Sequence, residues 1–315
     1  MSLLVPPRER AKTFGASHLG GLLGGGFMAV STASPRVGPP TPEVARGELR
    51  PGHWLAMNAT NSAVSVPGEP TVEPVFQLPA LWITEATRRD AELAGFTVVD
   101  AAAVLVTHLS ETIKRNAHTI LSRQDVQALL DHLKQTHPTV VNELVPAQLT
   151  VGQVQRILQN LLAEGVSIRN LALVLERVSD YTAVTKNPDE LSEHARRALA
   201  AQIARPFQQP TGTLRAITLD PKLEQEIAKG LRHSPTEIGL VLEPRLARHV
   251  MDALAKVVQP MIAAGQPPVV LCAPQIRLGF RRFFESTFGD LAVLSYAEIP
   301  PRAAIESAAM IPCPE

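Results

Sequence analysis

Between Ser122 and Arg205 one short amphipathic segment follows another, each punctuated at both ends, and no other stretch of this 315-residue chain constrains its fold so tightly. Ser122 and Asp125 have capping-box spacing at the head of 123-RQDVQALLDHLKQTH-137, which Pro138 is expected to stop. Thr150 leads 151-VGQVQRILQNLLAEG-165, where Val151, Val154, Ile157, Leu158, Leu161 and Leu162 form one stripe and Gly165 is the C-terminal signal. Ser167 opens 168-IRNLALVLERVSDY-181, and Pro188 with Asp189 and Glu190 opens a last helix running to about Arg205. Short stripes of this kind are stable only against one another, so 122–200 is expected to be a compact helical subdomain.

The flanks read differently. After 201 the strand candidates 214-LRAITL-219, 268-PVVLCA-273 and 291-LAVLSY-296 alternate with helices over 221–231, 243–264 and 275–287, which predicts an α/β layer with some parallel pairing. The proline-punctuated end, 300-PPRAAIESAAMIPCPE-315, is expected to meander. Upstream, 47-GELRPGHWLAMN-58 is strand-like and 59–74 reads as hairpin or loop. A helix follows over 84–95, with Thr84 as cap and Gly95 at its close, then a strand 96-FTVV-99. The next stretch, 101–121, places Val104, Leu105, Leu109, Ile113, Ala117 and Ile120 at helical spacing. Residues 1–46 show no period that could pack one face and read as a low-complexity leader. The expected class is α+β with several subdomains: a small α/β N-terminal part, a central helical one and a C-terminal α/β one.

Composition narrows the function. Hydrophobic residues are 45% but aromatics only 4%, so the cores must be built of Leu, Val, Ile and Ala. Thirty basic residues balance thirty acidic ones, which argues against a nucleic-acid partner, since a phosphate-binding surface needs a basic excess or run. Cys272 and Cys313 form no disulfide framework, and a reducing cytoplasm is the simpler setting. No apolar run is long enough to span a bilayer. The segment 16-ASHLGGLLGGGFMAV-30 after Arg8, Arg10 and Lys12 superficially resembles a signal peptide, but its glycines weaken a helical core.

Catalytic equipment is hard to find. His108, His118, His132 and His137 fall on different elements without the spacing that zinc sites use, and no cofactor is implied. Cys272 ends a strand, where an α/β enzyme could mount a nucleophile, but lacks the flanking glycine pattern. The Gly-rich 20-GGLLGGG-26 lacks the Lys-Ser/Thr of a phosphate loop. The pairs Arg196–Arg197 and Arg281–Arg282, with acidic neighbours Glu190, Glu193 and Glu285, read as solvated helix faces. The residues alone point to a binding or assembly role.

The segments 73-EPVFQLPALWI-83, 95-GFTVVD-100, 106-VTHLSETI-113, 123-RQDVQALLD-131, 143-ELVP-146, 154-VQRILQNLLAEGVSIRNL-171, 268-PVVLCAPQIRLGFRRF-283 and 293-VLSYAEIP-300 occur in one order. In that order they resemble the cytoplasmic domain of the type III secretion export-gate proteins, the flagellar and injectisome FHIPEP family, over roughly residues 47–300. The resemblance implies a non-enzymatic docking and assembly module at the cytoplasmic face of the inner membrane. It implies a nonameric ring, contacts with other export-apparatus components, and binding of secretion chaperone–cargo complexes. It also implies a layout of leader 1–46, a truncated first subdomain with an inserted small α/β second over 47–121, a helical third over 122–200 and an α/β fourth over 201–315. By motif, Phe76 matches the aromatic of the family's chaperone-docking dimple, Glu73 its acidic neighbour and Thr107 its hydroxyl. Two features depart from the pattern. Gln77 replaces the usual glycine after that aromatic, and the family's membrane half is not covered. The segment 51-PGHWLAMN-58 leans toward the injectisome branch. The alternatives are a stand-alone or decayed paralogue without an export role, and a small α/β enzyme using Cys272.

Overall fold

The structure is a computed structural model that describes residues 50–58, 65–73, 78–289 and 291–314. Phe76, the leader 1–46 and the Gly-rich 20–26 segment lie outside the described residues. The chain divides into two units, Met1–Asn116 and Ala117–Glu315.

In the first unit β1 (Trp54–Met57), β2 (Glu69–Val72), β3 (Pro79–Ile83) and β4 (Thr97–Asp100) form an antiparallel sheet in the order β2-β3-β1-β4. Helix α1 (Glu85–Leu93) precedes β4 and α2 (Ala101–Arg115) follows it. The pleat sends Leu55, Ala80 and Trp82 to one face, against Val104 and Leu105 of α2, and Ala56, Leu81 and Ile83 to the other, against Ala91 of α1. Both faces are covered, which explains why 54-WLAM-57 and 79-PALWI-83 read as continuous apolar runs rather than alternating ones. Thr84 stands at the N-cap of α1 without a side-chain bond, while Asp100 caps α2 by accepting from the Ala103 amide at 2.6 Å.

The helix expected over 101–121 breaks at Asn116, whose Nδ2 donates to the Thr112 carbonyl at 2.8 Å. This side-chain bond competes with the helical ladder at the boundary between the units. The second unit begins with the short α3 (Ala117–Ile120), then α4 (Arg123–Thr136), α5 (Pro138–Leu144), α6 (Val151–Ala163), α7 (Leu171–Tyr181), α8 (Pro188–Ala198) and α9 (Ala200–Ala204). Capping boxes form at Ser122/Asp125 and Thr150/Gln153. Three expectations are corrected. Pro138 does not merely stop α4 but opens α5, because its fixed φ and missing N–H suit a first helical position. Ser167 does not cap α7, which starts behind Asn170. The last helix is interrupted at Leu199 and passes through α9 into a 3₁₀ turn, Arg205–Phe207.

Beyond it lie β5 (Leu214–Leu219), α10 (Pro221–Lys229), the hairpin β6 (Leu231–His233) with β7 (Ile238–Leu240), α11 (Pro244–Ala263), β8 (Val269–Cys272), α12 (Arg277–Phe284), β9 (Ala292–Ser295), a 3₁₀ turn (Tyr296–Glu298) and β10 (Ile305–Ile311). The sheet β10-β5-β8-β9 is parallel throughout. Its strand β10 lies where a meander was expected: the prolines at 300–301 and 312 flank the strand rather than enter it. One face of the sheet, with Leu214, Ala216, Val269, Leu271 and Leu294, joins the helical core around Leu158 and Leu175. The opposite face, with Ile217, Val270, Cys272 and Val293, packs on Leu223, Leu254 and Phe280 of α10, α11 and α12. The second unit is therefore three layers deep, and β9 is an edge strand of the middle one.

Candidate functional site

Two of the three residues that the sequence suggests for docking are described, and both lie in the first unit. Glu73 directly follows β2, and its N–H donates to the Leu78 carbonyl at 2.9 Å, which carries the β2–β3 pairing one residue further. Since Thr71 pairs with Ala80, the pleat puts Glu73 on the Ala80–Trp82 face, the one that α2 covers. Its side chain is buried at 3% exposure, so it lies within that layer rather than on a rim. Thr107 is exposed on α2, three residues beyond the buried Val104. Glu73 and Thr107 thus belong to one layer of one unit.

The second unit holds a feature that the sequence did not disclose. The Arg277 guanidinium, from α12 on one side of the sheet, is fully buried and bridges Glu164 after α6 (2.6 and 2.9 Å) and Glu193 of α8 (Nε to Oε2, 2.6 Å). Arg196 of α8, 3% exposed, completes the chain by pairing with Glu164 at 3.2 Å and with Glu298 at 2.5 Å. These groups come from both outer layers and meet past the edge of β9. They also satisfy that edge: Arg277 donates to the Val293 carbonyl at 3.3 Å, and Glu298 accepts the Ser295 amide at 2.6 Å. An unpaired strand edge invites foreign strands, and buried charge is one means of blunting it. Burial by itself would raise the Glu164 carboxyl, but Arg196 and Arg277 beside it hold it down to about 2. At Glu193 burial prevails over Arg277 and the carboxyl is pushed up.

The basic pairs are therefore only in part solvated faces: Arg197 is exposed, as expected, but its neighbour is not. Arg196 is buried in this network, and Arg282 forks onto the fully buried Asp189 (2.5 and 2.8 Å), which also accepts from the Ile238 amide at 2.8 Å and so ties α8 to β7. A signal was available in the pattern. Asp189, Ser192 and Arg196 recur at i, i+3 and i+7 beside Leu191 and Ala195, which places polar groups on the apolar stripe of α8. Cys272 does not have the surroundings of a nucleophile: it is fully buried in the sheet, burial pushes its thiol well up, and its Sγ lies 3.7 Å from the Leu294 carbonyl. Beside the ion network a cavity of about 490 Å³ opens against β9, walled by the chain after α6, the 3₁₀ turn at Phe207, Arg196 and Arg281.

Comparison with known proteins now decides the family. The sequence profile described as "FHIPEP family" matches residues 40–304. This chain belongs to the FHIPEP family. Among FHIPEP proteins, the flagellar biosynthesis protein FlhA of Bacillus subtilis is 39% identical over 269 residues, covering 85% of this chain and 40% of that relative. FlhA of Salmonella typhimurium is 34% identical over 269 residues, covering 85% and 38%. The chain thus spans about two fifths of the length of these curated relatives. The solved structure of the Chlamydia pneumoniae CdsV protein superposes with a TM-score of 0.75 at 26% identity, covering 83% of this chain and 76% of that one. The nonameric SctV-C of EPEC shares the fold, with a TM-score of 0.67 at 21% identity over 82% and 78% of the two chains. The α+β multi-subdomain architecture is that of these FHIPEP cytoplasmic domains, and the chain is a member of a family of type III and flagellar export-gate components. Among the described residues no helix is long and apolar enough to cross a membrane.

Proposed function

We propose that this chain is a docking module of a flagellar-type export gate, on the cytoplasmic side of the membrane, which receives chaperone–cargo complexes at a site built from Glu73, Phe76 and Thr107. The observation that carries the reading is that Glu73 and Thr107, far apart in sequence, belong to the same sheet-and-helix layer, with Phe76 in the short connection that follows Glu73. An aromatic anchor supplies affinity in such sites and the exposed Thr107 hydroxyl supplies orientation, while the buried Glu73 supports the layer beneath them. The flagellar branch is favoured over the injectisome lean of 51–58 by identities of 34–39% to the two FlhA proteins, against 26% to CdsV. The subdomain layout 47–121, 122–200 and 201–315 belongs to the same proposal.

Assembly into a ring is part of it, because a solved relative of the same fold is nonameric and CdsV has been solved in complex with CdsO. The decisive test is titration with a purified flagellar chaperone–substrate complex. Phe76→Ala should weaken binding by about 2 kcal/mol, roughly 30-fold, while the cooperative melt is retained. Unchanged affinity in a folded variant would overturn the assignment.

A further inference from the structure

His194 of α8 lays its ring on that of Tyr181 at the end of α7, with ring centres 3.6 Å apart and planes 15° from parallel. Both residues are half-buried, yet the His194 Nδ1 atom is itself buried and has no hydrogen-bond partner among the described residues. A neutral imidazole suits that position: its single N–H goes to Nε2, and Nδ1 stays a bare acceptor. Protonation puts an N–H on Nδ1 with no acceptor to receive it, and a charged donor left so costs more than a bare acceptor does.

The surrounding charges act mostly in the same direction. Arg177, one turn before Tyr181 on α7, has its guanidinium 5.8 Å from the Tyr181 ring centre, so the pull of that ring on a cation is already engaged. Arg197, three residues beyond His194, adds a second positive charge. Opposing them is Glu190, one turn before His194, which also faces His233 of β6 at 3.7 Å; Asp180 of α7 pairs with Arg177 at 3.7 Å. Helix α6 and the ion network meet α8 elsewhere. Asn160 donates to Asp189 and Ser192 at 2.8 and 3.0 Å, Glu164 pairs with Arg196, and Arg277 holds Glu193, all about 100° or more round the helix from His194 at 3.6 residues per turn. Burial, with Arg197 and Arg177, holds the His194 imidazole below its ordinary 6.5, against the contrary pull of Glu190.

We propose that the His194–Tyr181 stack is an acid-sensitive latch between α7 and α8, closed while the imidazole is neutral and opened when protonation drives the ring off Tyr181 into water. The half-exposed position permits this, since a rotamer change brings the ring to solvent. Opening uncovers Tyr181 and sets a third cation beside Arg177 and Arg197, so that an aromatic surface becomes a basic one. Linkage gives the sign. The unfolded chain takes up the proton at 6.5 and the folded protein only below it, so the stability the latch supplies is complete above 6.5 and is lost as the pH falls from there through the folded value. The latch lies wholly in the second unit and does not depend on Phe76.

The test uses the full chain, with histidine and tyrosine ring resonances followed by NMR as the pH is lowered from neutrality. His194 should titrate below 6.5, and the Tyr181 ring signals should move with the same midpoint. His194→Phe, which keeps a ring on Tyr181 but removes the titrating group, should leave those signals flat. Arg197→Gln should move the His194 midpoint up toward 6.5, and His233→Asn should leave the Tyr181 transition in place. Each variant's melting transition is checked first, and the titration of the unaltered protein decides the matter where a variant does not fold. A His194 midpoint at or above 6.5, Tyr181 signals that do not follow it, or a Tyr181 transition that survives His194→Phe or vanishes in His233→Asn would each overturn the proposal.

Discussion

Glu164 sits between two buried guanidinium groups, and its removal illustrates how one residue can hold two layers together. Glu164→Gln leaves the buried Arg277 and Arg196 guanidinium groups short of a counter-charge. Breaking such a pair should cost about 3–5 kcal/mol at neutral pH, read as a lower denaturation midpoint with an unchanged slope. The pH dependence has a definite sign. Glu164 is held from 4.5 down to about 2, so its stabilisation is fully present above 4.5 and is lost as the pH falls from there toward about 2. That acid limb is worth about 3 kcal/mol by linkage and should be missing from the Gln variant. Glu193 acts in the opposite sense, since burial raises its carboxyl and protonation therefore relieves a cost; an acid limb unchanged in Glu164→Gln would assign the pH dependence elsewhere.

Among the elements, the helix starts differ in a way that can be measured. Thr150 and Ser122 each close a capping box, whereas Thr84 occupies an N-cap without a side-chain bond. Thr150→Ala should therefore destabilise the protein by about 1 kcal/mol and hasten amide exchange in the first turn of α6, while Thr84→Ala should change stability by less than about 0.5 kcal/mol. The caps at Ser122 and Thr150 were legible because capping is local: donor and acceptor stand three residues apart. Strand β10 was not, because its pairing with β5 joins Ile305 to Leu214, and no local pattern reports a partner so distant in the chain. The ion network escaped for the same reason. Arg196 and Glu298 are separated by 102 positions, and Arg277 and Glu164 by 113, so each reads locally as one more charge on a helix or turn.

For the molecule as a whole, the division after Asn116 makes a prediction about folding. The second unit has two extensive apolar clusters of its own, one on either face of its parallel sheet. Residues 117–315 expressed alone should melt cooperatively and retain the acid limb that Glu164 supplies; a non-cooperative fragment would show that its core is completed by the first unit. Helical periodicity, caps and breakers were enough to determine the class, the helical middle and the alternating last third, because each depends on residues within a few positions of one another. Motif order was enough to indicate the family. Only the tertiary structure decided which charges are buried, that Glu73 lies inside a layer and that β9 ends its sheet beside a cavity, because burial and pairing are set by residues outside any local window, in the ion network more than a hundred positions away.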